Sequence, residues 1–500
     1  MIALVLAPLM VFLISGVIDM GIARWPDLLT KSFIGAMGRS LREAGILAAA
    51  GFTLGWPIGT LCALQRTRGA GMLTSILVLP MTAPPFLWAI GVQNLRPLIP
   101  YANQVWLDGF PGVLFALAPL AVPLPLLTAW AAAHRLPASS QEAAWISGGR
   151  GTLLWITLRY TARAAAAGAL LAGALVFADA GCDQIMGCHG FSSEVLIAFT
   201  AKNDFSLASA KALAGSLILL PAAIGIAWLT SGVPIDAPLG KAAIRGANRH
   251  CIVPDSALLV LLAMLVIVLA LLPLYGLARP LLFSDPTLPY WENGWMLLCE
   301  RLIPTLQRPF GAAVTAVMTG TLICGLDRRV LLSFAMLALA LPSVFGSLGM
   351  VQLTSQYPWL LRPVQESGWL VGLSTGLRLA PLAALLISHA RQRLPVSAMD
   401  AGRLAAVPPG RWWLYVMGPE LAPGLLLAAA MASLISLGDM QAELLLQPAG
   451  GGSFSAHLFA VMDNSSDKTV AVLAMLHLCG VWFTCIFASA ALWMSRRRNQ

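Results

Sequence analysis

The chain alternates long apolar runs with short polar breaks rich in Arg, Pro and Gly. A helix that crosses a bilayer takes about 20 mostly apolar residues. Runs of that kind fall at 1–20, 43–65, 69–93, 111–133, 162–180, 206–229, 256–278, 309–326, 329–353, 367–390, 419–437 and 469–495. The pattern predicts an all-α polytopic membrane protein with about 12 transmembrane helices. Residues 1–20 have no Lys or Arg ahead of the apolar stretch, so they lack the basic start of a cleavable signal peptide and are read as a retained helix.

Composition supports this class. The 500 residues are 58% hydrophobic and 11% charged, whereas a soluble surface needs roughly a quarter charged residues. These figures exclude a disordered chain and, with 8 Cys, a disulfide-stapled scaffold. They also exclude a nucleic-acid binder, despite a formal charge of +9. The charge is instead a matter of topology. With both termini on the cytoplasmic side, Arg66, Arg68, Arg135, Arg150, Lys241, Arg328, Arg329, Arg391, Arg403 and Arg496 fall on inner loops while most acids fall outside, which is the positive-inside pattern. Six of the cysteines are scattered in or near apolar spans as small hydrophobes. Cys182 and Cys188 share one outer loop with His189, either as free thiols, as a disulfide or as half of a metal site.

Sliding the chain along itself lays "RLPASSQEAA" (135–144) over "RLPVSAMDAG" (393–402), Pro84 over Pro342, Gly91 over Gly349 and Asp179 over Asp439. Both matched loops must face one side, which requires an even number of spans per copy. Two parallel six-helix repeats follow: a first half at 1–229, a cytoplasmic linker at 230–255 and a second half at 256–500. Two such halves meeting on an axis along the membrane normal enclose a cavity, so transport is the leading expectation.

Each matched loop reads as the start of a short helix outside the bilayer. Ser139 with Glu142, and Ser397 with Asp400, have the spacing of a capping box after Pro137 and Pro395. The small residues that follow permit close approach by another surface. The stretches "EAAWISGGRGTLLWITLR" (142–159) and "DAGRLAAVPPGRWWLYVMGP" (400–419) resemble the EAA motif of ATP-binding-cassette (ABC) importer permeases: Glu-Ala-Ala, three residues, Gly, nine residues, then Ile-x-Leu-Pro. The first copy has Arg159 where Pro is expected; the second has Asp400, Gly402 and Ala406 for Glu, Ala and Gly but places Pro419 on the pattern. The resemblance covers about 40–228 and 305–495. It implies the type I importer permease fold, with Glu142, Ala143, Ala144 and Gly148 as one ATPase-coupling helix and Asp400, Ala401, Gly402 and Ala406 as the other.

The same resemblance implies two cytoplasmic ABC ATPase subunits carrying ATP and Mg, an external solute-binding protein, and a bacterial inner membrane as the location. This chain would bind no cofactor and would be a translocation subunit without an active site; it contains no "GKS" or "GKT" phosphate loop. The fused two-half architecture resembles ferric iron permeases, with thiamine or a phosphonate as the alternative solute.

Among residues that could meet a solute, Arg378 is read as the one basic residue deep inside a span, there to meet an anion or to pair with an acid. Asp179 and Asp439 sit at the outer ends of their helices, either to receive a cation or simply as polar helix ends. Pro84 and Pro342 interrupt helices near a moving seam or as packing kinks. An ion-coupled secondary transporter is the rival reading. It needs buried acids within the membrane, and no cluster of acids, His or nucleophiles is evident along the sequence.

Overall fold

The computed structural model describes residues 30–65, 67, 69–100, 107–231, 253–282, 288–327, 342–392, 417–448, 452–462 and 466–498, with isolated positions at 18, 26, 330–331, 334–335, 338 and 411. The expected span 1–20, most of the linker 230–255, the start of the span 329–353 and the loop at 393–410 lie outside the described residues.

Every regular element among the described residues is helical. In chain order they are α1 (Lys31–Gln65), α2 (Ala70–Val78), α3 (Pro85–Gln93), α4 (Gly109–Ala121), α5 (Pro123–Ala133), α6 (Ala138–Ala178) and α7 (Gly181–Ile185). Then come α8 (Phe191–Thr200), α9 (Phe205–Ser231), α10 (Asp255–Val266), α11 (Leu272–Leu282), α12 (Leu288–Glu300) and α13 (Leu302–Ile323). The remainder are α14 (Ser343–Gln356), α15 (Pro358–Glu366), α16 (Trp369–Gln392), α17 (Gly418–Gly438), α18 (Met440–Leu446), α19 (Phe454–Val461) and α20 (Asp467–Arg498).

Among the described residues eight helices are long and apolar enough to cross a membrane, or nine if the pair Ala70–Thr82 and Pro85–Leu98, bent by 98°, makes one span. Each of the eight overlaps a predicted run, though Lys31–Gln65 and Ser139–Ala178 begin 12 and 23 residues before the runs at 43–65 and 162–180. The run at 309–326 falls in α13, which is helical but is not among the eight; it carries Gln307 and Arg308 near its start. Large apolar side chains point outward: Leu217, Ile224 and Trp228 on α9 and Val260 and Met264 on α10 are more than half exposed. A soluble monomer does not tolerate such a belt, and a bilayer does. The chain is a multi-pass helical membrane protein.

Proline sets where several helices begin. Pro84, Pro137, Pro254 and Pro342 each stand just before a helix with φ between −57° and −52° and ψ between 131° and 140°. The ring fixes φ, and the proline carbonyl accepts the first helical N–H, as from Leu87, Ser140, Ala257 and Phe345. This overturns the capping-box reading of the first loop. Pro137 is the cap, Ser139 lies inside the first turn, and no side chain caps the helix.

Two bundles organise the interior. α1 packs on α5 and α6, with α9 against α6; α13 packs on α16 and α17, with α20 against α17. Small residues allow the close approach: Gly51, Gly55 and Gly59 of α1 meet the backbone of Ala121, Val122 and Leu126, and Gly320 of α13 meets Ala383 and Ala384. The span formed by α10 and α11 crosses between them, touching α2 and α3 on one side and α20 on the other. The central span Trp369–Ser388 is 72% buried and Phe205–Leu229 only 28%, so the former lies at the heart of the array and the latter at its lipid-facing rim.

Candidate functional site

The two acids of the predicted solute pathway come together. α6 ends at Asp179 and α17 ends at Asp439, and each carboxylate turns forward to accept a backbone N–H three residues on, from Cys182 at 2.8 Å and from Ala442 at 3.4 Å. Each acid thereby ties a long helix to the short one that follows, α7 or α18. Both line one cavity of about 230 Å³, together with Arg378, Gln184, Ser343 and Gln441.

Arg378 is ion-paired there. Its Nη1 lies 3.2 Å from Asp439 Oδ2 and its Nε donates to Ala338 O at 2.9 Å. Of the two sequence alternatives for Arg378, pairing with an acid is the one realised. Gln441 bridges the cavity wall, donating to Ala178 O at 3.4 Å and accepting from Ser343 Oγ at 3.3 Å. An edge-to-face ring pair, Phe86 on Phe459, forms part of the cavity wall. With Arg378 and Asp439 neutralising each other, Asp179 is left as the cavity's unbalanced charge. Burial pushes its carboxyl up to about 6, against the lowering effect of the Cys182 and Gly181 N–H groups.

Pro84 and Pro342 flank this cavity through their neighbours, Ala83, Pro85 and Ser343. Pro84 stands at the 98° bend, and Pro342 starts α14 with nearly the same dihedrals. Volumes of organic-ligand sites run to roughly 300–1,000 Å³, so the space present suits an ion or a few waters.

The first predicted docking loop has a defined shape. α6 begins at Ala138 and breaks at Gly148 and Gly149, where φ/ψ leave the helical region and Gly149 has φ +67° and ψ −148°, a conformation open essentially to glycine alone. The segment 138–147 is thus a short helix set off from the long one. Ala144 is buried in a small cluster with Leu64 and Leu153, which anchors the segment to the end of α1. Glu142, Ala143 and Gly148 are exposed, and Ile146 is 84% exposed. The second set, Asp400, Ala401, Gly402 and Ala406, lies outside the described residues.

Three features escaped the linear reading. Arg378 is not the only basic residue buried in an apolar helix: Lys211 on α9 pairs with Glu194 at 2.6 Å, and Arg308 on α13 pairs with Glu443. Their presence in or beside apolar runs was a signal available from sequence. The third is a set of acids, the buried Glu43 and Asp183 with Asp179, gathered where Ser40 of α1 packs beside Asp183 and Gly190 in the turn after α6, and therefore invisible along the chain. Cys182 and Cys188 are buried free thiols, and Cys182 Sγ donates to Pro85 O at 3.2 Å. Burial and the nearby Asp179 and Asp183 push the Cys182 thiol well above its usual value. Among the described residues no group of three His, Cys, Asp or Glu side chains is placed to hold a metal ion.

Compared with protein-family models, curated proteins and solved structures, the chain matches none.

Proposed function

We propose that the protein is the transmembrane permease subunit of an ATP-driven ABC importer, built as two parallel six-helix repeats with about 12 spans, at 1–229 and 256–500 joined by the cytoplasmic linker 230–255. The observation that carries the reading is the shared cavity: Asp179 and Asp439, matched by the internal repeat, end corresponding helices and line one space beside Arg378. The paired contacts of α1 with α5 and α6, and of α13 with α16 and α17, support the repeat.

The coupling assignment rests on the first loop. A short helix, anchored through Ala144 and exposing Glu142, Ala143 and Ile146, has the form of a knob for a cleft in a cytoplasmic ATPase. Glu142, Ala143, Ala144 and Gly148 belong to it, and the internal repeat assigns Asp400, Ala401, Gly402 and Ala406 as the matching ATPase-coupling residues. ATP and Mg belong to two copies of that partner, a solute-binding protein delivers cargo from outside, and the complex sits in a bacterial inner membrane with both termini cytoplasmic. The solute is ferric iron, with thiamine or a phosphonate as alternatives. In this reading Asp179, Asp439 and Arg378, which line the shared cavity, lie on the solute pathway.

Purification from the native host in mild detergent, followed by mass spectrometry, tests this. An ABC ATPase recovered at two copies per chain is the expected result. The double variant Glu142→Arg with Asp400→Arg is expected to lose that partner while remaining folded in the membrane; co-purification at wild-type stoichiometry refutes the coupling assignment. A second reading, ion-coupled secondary transport, is favoured by the acid cluster Glu43–Asp179–Asp183. It predicts the chain alone, with uptake into vesicles driven by a proton or sodium gradient.

A further inference from the structure

Two tethers of the same kind hold the ends of α1 and α13. Ser40 Oγ accepts the backbone N–H of Phe191, the first residue of α8, at 3.0 Å. Thr305 Oγ1 accepts that of Phe454, the first residue of α19, at 2.9 Å. Three residues beyond each tether comes a buried ionisable side chain, Glu43 in one case and Arg308 in the other. Arg308 pairs with an acid on the short helix after the long span, Glu443 on α18; on the other side the acid of the matching short helix, Asp183 on α7, shares the space beside Gly190 with Ser40, one turn before Glu43 on α1.

The second arrangement is complete. Arg308 Nη1 pairs with Glu443 Oε2, Nε and Nη2 donate to Ser436 O, and Glu443 Oε1 accepts from Ser453 N at 2.7 Å. The first has an acid where the second has a guanidinium. Glu43 is 1% exposed and its Oε1 has no hydrogen-bond partner. Asp183 is 3% exposed, its Oδ2 lying where a Cβ on Gly190 would stand, 1.7 Å from that position, with Ser40 Oγ 2.9 Å from the same point. Glycine at 190 is what leaves room for the carboxyl.

The surrounding charges do not neutralise this pair. Arg39 and Arg42 on α1 attract it, but Arg39 donates to His189 O and Arg42 to Gly38 O, and no ion pair joins either to Glu43 or Asp183 among the described residues. Asp179 adds repulsion. Cys182 and Cys188 are thiols kept protonated by burial and by the acids. Glu194 is committed to Lys211 and Ser32, and Asp108 to Arg96. Two neighbouring buried carboxylates, neither ion-paired among the described residues, disfavour double ionisation, and among the described residues no third ligand is placed to complete a metal site.

We propose that Glu43 and Asp183 form a proton-binding site, in which one proton held between the two carboxyls does the work that the fixed charge of Arg308 does against Glu443. Binding takes one proton from water and changes the pair's charge from −2 to −1. The burial that disfavours the charged form, with the charges of Glu43 and Asp179, raises Asp183 far above the ordinary carboxylate range. The site stands whichever solute the protein carries and whatever drives it.

The test is infrared difference spectroscopy against pH on the purified full chain in lipid nanodiscs, for wild type, Glu43→Gln and Glu43→Arg. The expected result is a carboxylic-acid C=O band in the wild type at neutral pH that gives way to carboxylate on alkalinisation. That band should give way to carboxylate at lower pH in Glu43→Gln, where Asp183 stays buried but faces one charge fewer, and be lost at neutral pH in Glu43→Arg, which installs the Arg–acid pair seen on the other side. A wild-type spectrum without the band overturns the proposal on its own, whether or not the variants fold. So does a band that persists unchanged in a folded variant, or one that sodium or magnesium abolishes at constant pH, which would make the site a metal-cation seat.

Discussion

The tether regions around Ser40 and Thr305 are built alike and charged differently. Around Thr305 a guanidinium, a carboxylate and backbone groups satisfy one another completely. Around Ser40 two acids meet, and Glu43 keeps a buried oxygen without a partner. A satisfied buried pair holds a structure in one arrangement; an unsatisfied like-charge pair makes the same junction depend on proton activity. One end of the molecule is therefore a fixed clamp and the other an adjustable one.

The sharpest way to break the contrast is Arg308→Met. It leaves Glu443 buried without its cation, and removal of one partner of such a pair costs about 3–5 kcal/mol. Thermal unfolding in detergent should show the largest loss of any single change considered for these regions.

Next comes the pH profile. Asp183 is raised in the folded chain above its unfolded value of about 4, so the fold holds the proton after the unfolded chain has released it. Stability therefore falls as pH rises above about 4, until Asp183 ionises in the fold, with a slope of up to about 1.4 kcal/mol per pH unit for one proton. Asp179, raised to about 6, acts in the same direction. Melting temperatures across this range should decline in wild type and decline less in Glu43→Gln; equal slopes would erase the distinction between the two ends.

Arg378→Gln is a smaller change, because Arg378 keeps 18% of its side chain exposed and Asp439 also has the Ala442 N–H. A loss of about 1–2 kcal/mol is expected, with solute uptake into vesicles reduced by more than the loss of folded protein explains. The smallest effect belongs to Glu366→Gln. It removes an exposed pair with Arg362, 72% and 66% exposed, and should shift stability by no more than about 0.5 kcal/mol. A larger shift would mean that burial is not what separates these ion pairs.

How much of this was legible beforehand varies with how local the cause is. The apolar runs at 111–133, 206–229 and 419–437 became spans almost residue for residue, since helix formation and membrane burial depend on a window of neighbours. Asp179 and Asp439 were matched by the repeat and do share a cavity. Ser139 was misread because Pro137 two residues earlier supplies both the dihedral and the acceptor that a cap residue would. Arg378 was found because a charge in an apolar run stands out, but its partner Asp439 was not, since a charge does not announce which distant helix end it meets.

Glu43 shows the limit most plainly. By itself it reads as one polar residue at the edge of a span, next to Arg42. Sequence alone determined that the chain is helical, that it belongs in a bilayer and where several of its spans lie, because these follow from hydropathy and backbone restrictions within a few residues. Only the tertiary structure decided that Arg308 would be paired and Glu43 would face another acid. The energy of a buried charge depends on groups carried in by other helices, and the packing of α1 and α13 against the turns after α6 and α17 is what brings them there.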